Sequence, residues 1–66
     1  MSSTPKPEPL MSMTDLAEYL QVPQATLYRW RYLGEGPKGA RVGRWVRYRT
    51  SDVEAWVNAR IEADGR

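Results

Sequence analysis

Read from Leu10 onward, the apolar residues recur at helical spacing twice, then at alternate positions, then at helical spacing once more. Met13, Leu16, Ala17 and Leu20 fall at intervals of three and four, with Thr14, Asp15 and Glu18 off that stripe. This predicts an amphipathic helix over about 13–20. Ser12 just ahead of it, with Asp15 three residues on, outlines a capping box: the hydroxyl accepts from the Asp15 amide and the carboxylate accepts from the Ser12 amide. Asp is shorter than the usual Glu or Gln, so the return bond is the weaker half. Met11 and Leu16 are spaced for a hydrophobic staple across the cap.

Gln21-Val22-Pro23 interrupts the first stripe. Pro23 pushes Val22 toward an extended conformation and itself suits the first turn of a new helix. That second helix is expected over about 24–33, ended by Gly34, since Glu35-Gly36-Pro37 cannot continue it. At 100° per residue Thr26, Leu27, Trp30 and Leu33 share one side, assigned here to the core. Gln24, Ala25, Tyr28 and Tyr32 share the opposite side, with Arg29 and Arg31 on its shoulders. Two short helices joined by about three residues form an angular pair, the helix-turn-helix outline.

Beyond Pro37 the period becomes two. Arg41-Val42-Gly43 and Val46-Arg47-Tyr48-Arg49 are expected to flank a tight turn of Gly43, Arg44 and Trp45, with Gly43 supplying its unusual backbone conformation. With Val42, Val46 and Tyr48 facing inward, alternation turns Arg41, Arg47 and Arg49 to solvent. A second capping box, Ser51 with Glu54, is expected to open the last helix. Its apolar stripe of Val53, Trp56, Val57 and Ile61 runs to about Glu62, too short for a coiled coil. Trp30, Tyr48 and Trp56 are read as core aromatics, the means by which so small a domain gains apolar area.

The chain has 66 residues, enough for one domain. A domain of this size buries only about 60% of the surface its unfolded chain exposes. It has no cysteine and no histidine, so no disulfide framework, thiolate zinc site or histidine general base is open to it. A core this small leaves little room for a substrate pocket of about 300 Å³ or more. Asp52 and Glu54 are read as carboxylates favoured at a helix start rather than as a catalytic pair. No enzymatic activity, metal or cofactor is expected. No apolar run reaches the roughly 18 residues of a membrane span, and the polar start, with Pro5, Pro7 and Pro9, has no signal-peptide character. The expectation is a cytoplasmic protein with a polar, disordered tail over 1–9, one domain over 10–63, and a short tail over 64–66.

Charge changes this picture most. The net charge is only +2, but residues 29–49 hold seven basic side chains (Arg29, Arg31, Lys38, Arg41, Arg44, Arg47, Arg49) against one acid, Glu35. The other acids flank this segment or lie in the tail. Segregation of this kind speaks to partners rather than to fold.

Three blocks in order carry a resemblance: LAEYLQVPQATLYRW over 16–30, RVGRWVRYR over 41–49, and SDVEAW over 51–56. Together they resemble the small excisionase-type, MerR-like winged-helix proteins of phages, prophages and mobile elements, over about residues 10–61. Thr26-Leu27-Tyr28-Arg29-Trp30 and Arg41-Val42-Gly43 are the most specific parts, with Ser51-Asp52 and Trp56 at matching distances. Two positions depart from that family's habit: Gln21 stands where Gly is usual, and Pro23 where a Ser cap is usual. A non-Gly residue held in the left-handed region costs ~1–2 kcal/mol. The fold implied is mainly α with a small β-hairpin: helix-turn-helix, two-stranded wing, C-terminal helix.

The resemblance places the outer face of the second helix in a DNA major groove. There Gln24 can bond adenine in a bidentate manner, Ala25 or Tyr28 can touch a thymine methyl, and Arg29 can take a guanine or a phosphate; Arg31 and Tyr32 are further candidates. The wing would set Arg44 into the minor groove and Arg41, Arg47 and Arg49 against phosphates. Trp45 is left open between packing over the hairpin, stacking on sugar and contacting a neighbouring protein. The function implied is that of an excisionase, or recombination directionality factor. Copies would bind adjacent direct repeats at an attachment site, head to tail, and bend the DNA to direct a tyrosine-family integrase toward excision. A small phage-type transcriptional regulator needs the same surface. A protein-interaction module with a basic face is a third reading, from a different class.

Overall fold

Both halves of the Ser12 capping box form: the Asp15 amide donates to Ser12 Oγ at 3.0 Å and the Ser12 amide donates to Asp15 Oδ2 at 3.1 Å. Behind this cap helix α1 runs over Met13–Leu20, as the spacing predicts. A computed structural model describes residues 9–65; residues 1–8 of the tail expected over 1–9, and Arg66, lie outside the described residues. Five further elements complete the order: strand β1 (Leu10–Met11) ahead of α1, helix α2 (Gln24–Leu33), strands β2 (Gly39–Val42) and β3 (Trp45–Arg49), and helix α3 (Thr50–Asp64).

Gln21 ends α1 in the left-handed conformation, φ 59° and ψ 46°, its backbone N–H donating to the Ala17 carbonyl. Pro23 then stands one position before α2, at φ −65° and ψ 149°, rather than inside its first turn, and offers no side-chain cap. Gly34 closes α2 at φ 76°; the Glu35 amide donates to the Trp30 carbonyl at 2.7 Å. The two helices and their bend therefore take the predicted helix-turn-helix form.

Met13 and Leu16 from α1, Leu27 from α2, Tyr48 from β3 and Val53 from α3 make the buried core, with Leu16 and Val53 fully excluded from solvent. Met11, Leu20, Val22, Trp30, Val46 and Val57 pack around it. Helices α1 and α3 pack against β3, and α2 packs on α1, so each helix brings a residue to the one core. Gly39 is a place where only glycine fits: a Cβ there would lie 2.6 Å from the Tyr48 ring.

The sheet is antiparallel and three-stranded, ordered β1-β3-β2, where a two-stranded wing is expected from sequence. Strand β1 is two residues long, pairing Leu10 with Arg49 and Met11 with Tyr48, and too short to show any period. The Thr50 hydroxyl donates to the Pro9 carbonyl at 3.0 Å and ties the residue ahead of β1 to α3.

The wing register differs from the expectation. Val42 pairs directly with Trp45, so the turn has two residues, Gly43 and Arg44, and Trp45 belongs to β3. Gly43 has φ 66° while Arg44 keeps negative φ, the pattern of a type II′ hairpin. Shortening the turn by one residue flips the faces of β2, because side chains alternate with period two. Arg41 pairs with Val46 and Gly39 with Tyr48, which puts Arg41 on the inner face toward the helices. Val42 shares the outer face with Trp45 and is 52% exposed. The expectation that Val42 faces inward is thus overturned, while Arg41, though on the inner face by register, remains exposed to solvent as expected.

Other core assignments change at the margins of so small a domain. Leu33 is 49% exposed and Ile61 60% exposed, because no element extends far enough to cover either. From Asn58 onward every described residue of α3 is exposed, so the second half of the helix overhangs the sheet. Trp30 and Trp56 are half-buried and pack on each other, ring centroids 5.4 Å apart at 47°. Tyr48 alone among the aromatic residues is fully buried. Ser51 is not the cap of α3: the helix starts at Thr50 directly from β3, and its cap position, Arg49, makes no side-chain cap bond. With no loop between strand and helix, Ser51 already lies in the first turn.

Candidate nucleic-acid interface

The exposed side of α2 is the one expected from helical spacing. Gln24, Ala25, Tyr28, Arg29, Arg31 and Tyr32 are all exposed, Tyr32 by 88%. Leu27 on the opposite side is buried. The reversed wing register now matters. With Arg41 on the inner face, the wing tip and the start of α2 line one concave site of about 400 Å³, into which Thr14, Gln24, Tyr28, Arg41, Arg44 and Trp45 converge together with Arg47.

That concavity carries three arginines and no carboxylate among its lining residues. Arg47 is half-buried; its Nη1 donates to its neighbour's carbonyl, Val46 O, at 2.8 Å, and its guanidinium carbon sits 5.7 Å from the centre of the Trp45 ring. The exposed Trp45 therefore packs alongside an arginine on the outer face of β3, where cation–π attraction favours the pair. Asp15 lies within electrostatic reach: its carboxyl is held below the usual carboxylate range, first by the Ser12 amide, then by the Ser12 hydroxyl, with a smaller contribution from the Arg47 charge. The α1 cap and the wing thus share one electrostatic neighbourhood.

Not every expected residue joins this site. Arg31 turns toward α3 and lines a separate cavity of about 550 Å³ with Gly36, Asp52 and Trp56. Arg49 lies on the outer sheet face beside Leu10, Lys38 and Val42, around a hollow of about 460 Å³. Ala25, Arg29 and Tyr32 are exposed on α2 but do not line the concavity. Conversely, Thr14 was not foreseen. Its hydroxyl accepts a hydrogen bond from Gln24 Nε2 at 3.2 Å, across ten residues of sequence. Its position on the polar side of α1 is the only trace of this in the sequence, since the contact depends on how α1 crosses α2.

No helix among the described residues is long and apolar enough to cross a membrane. The family model described as a helix-turn-helix domain matches residues 10–61, a span that takes in every element from β1 to most of α3. The family includes excisionase-like DNA-binding proteins. No curated protein matches the chain.

Proposed function

The chain belongs to the helix-turn-helix domain family, and on that premise we propose that it binds duplex DNA sequence-specifically, with α2 in the major groove and the wing on the adjacent backbone. The observation that carries the reading is the convergence of Gln24 and Tyr28 of α2 with Arg41, Arg44 and Arg47 of the wing on one carboxylate-free concavity. Base-edge donors and acceptors set beside phosphate-pairing cations are what combined readout and anchoring require. Gln24 and Tyr28 read bases, and Arg29 serves a guanine or a phosphate. Arg44 at the turn reaches for the minor groove, and Arg41 and Arg47 pair with phosphates. Arg31, Tyr32 and Arg49 stand further from this focus and act as outlying contacts.

The biological role proposed is that of an excisionase: several copies on direct repeats of an attachment site, head to tail, bending DNA so that a tyrosine-family integrase assembles for excision. The resemblance of the three sequence blocks to such proteins supports this. A domain of this size makes few base contacts, and DNA deformability then supplies much of the specificity.

Titrating the full chain onto duplex DNA across a salt series tests DNA binding. Log K should fall linearly with log salt, at about −0.9 per phosphate engaged, and Arg41→Ala should flatten that slope by about one. A salt-independent affinity would point instead to a protein partner for the basic face. An excision assay with the cognate integrase tests the role. Promoter occupancy without stimulation of excision would assign the protein to transcriptional control.

A further inference from the structure

Gln24 is the first residue of α2 and Thr14 stands in the first turn of α1. The bond from Gln24 Nε2 to Thr14 Oγ1, 3.2 Å long, therefore joins the starts of the two helices at the floor of the concavity both residues line. Among the side chains meeting there, Gln24 is the one whose amide can read a purine edge in the major groove.

We infer that Thr14 is a positioning residue for base recognition: by holding one Nε2 hydrogen of Gln24 it restricts that amide to adenine. This rests on the DNA-binding reading above and adds a specificity determinant to it. An amide has two N–H donors and one carbonyl acceptor. Adenine offers the groove one acceptor, N7, and one donor, N6–H; guanine offers two acceptors, N7 and O6. A free glutamine can turn its two hydrogens toward the two guanine acceptors. A glutamine with one hydrogen committed to Thr14 keeps a single donor and its Oε1 acceptor, which complement adenine and leave Oε1 facing O6 of guanine. The tether also removes rotamers of a long, exposed side chain before DNA arrives, so less freedom is lost on binding.

The discriminating measurement is a base preference rather than an affinity. Selection from a randomised duplex library with the full chain identifies the preferred site. Fluorescence anisotropy then compares that duplex with the A·T-to-G·C variant at each position, for wild type, Thr14→Ala, Thr14→Ser, Gln24→Ala and the double variant. Gln24→Ala should flatten the preference at one A·T pair, a loss on the order of tenfold. Thr14→Ala should erode the same preference severalfold, chiefly by tolerating guanine, and Thr14→Ser should restore it. The double variant should look like Gln24→Ala alone. In Thr14→Ala and Thr14→Ser, affinity for mixed-sequence DNA and the salt slope should stay unchanged, which a general folding defect would not allow. Should Thr14→Ala discriminate as wild type does, or Thr14→Ser behave as Thr14→Ala, the positioning role is lost while DNA binding stands. Failure of the wild type to select any duplex removes both.

Discussion

Replacing Gln21 by glycine should make this protein more stable, and the amount follows from one backbone angle. Gln21 carries the only positive φ outside glycine among the described residues, 59°. A side chain in that conformation brings its Cβ against the following carbonyl, at a cost of roughly 1–2 kcal/mol. Glycine removes the clash but loses more freedom on folding, which takes back roughly 0.5–1 kcal/mol. The ranges leave a net gain of about 0–1.5 kcal/mol, with a midpoint of about 0.75 kcal/mol. In a domain of this size each kcal/mol moves the melting midpoint by about 4–8 °C, so at that midpoint Gln21→Gly should raise Tm by roughly 3–6 °C. The bond that closes α1 runs from the Gln21 backbone N–H to Ala17 O, and glycine retains it. Thermal unfolding followed by circular dichroism, with Gln21→Ala as control, measures the effect. Alanine keeps the Cβ and should leave Tm near that of the wild type. Asparagine, which tolerates left-handed geometry, should fall between. DNA affinity should not change, because the angle between α1 and α2 is the same in both proteins. A glycine variant that melts at or below the wild-type temperature would refute the reasoning, showing that the Gln21 side chain contributes more than its backbone strain costs.

Gly39→Ala should destabilise by about 1–3 kcal/mol in urea denaturation, since its Cβ would meet the fully buried Tyr48 ring at 2.6 Å and the core must shift to admit it. Ile61→Ala should change stability by less than about 0.5 kcal/mol despite removing a large apolar side chain, because Ile61 is 60% exposed on the overhanging half of α3; a larger loss would mean that this half packs against something. The lowered Asp15 carboxyl sets a pH dependence: the stability it contributes is fully present above the ordinary carboxylate range and is lost as pH falls through its depressed value. Unfolding midpoints of Asp15→Asn measured downward from pH 6 should therefore fall less steeply than those of the wild type, and parallel curves would count against the capping box as the cause.

The parts of the fold legible in the sequence were those governed by neighbours along the chain. The limits of α1 and α2, the Ser12 cap, the Gly34 stop and the exposed side of α2 all follow from spacing and local hydrogen bonding. Each is a contact within four residues. The strain at Gln21 was legible too, through the departure from glycine in the resemblance.

Tertiary structure decided the rest. Whether the wing turn holds two residues or three cannot be read from Gly43-Arg44-Trp45, because an apolar Trp45 fits either a turn or an exposed strand. That single residue sets which face Arg41 occupies, and with it the membership of the concave site. Strand β1 exists only because β3 offers an unpaired edge to Leu10 and Met11. Leu33 and Ile61 have helical spacing suited to burial, yet a 66-residue chain has no further element to lay over them. Thr14 meets Gln24 only through the crossing of two helices. The amino-acid pattern by itself determined which segments are helical and where positive charge gathers, because both depend on residues close in sequence. Register, coverage and the pairing of distant polar groups were settled by packing, because they depend on residues that only the folded chain brings into reach.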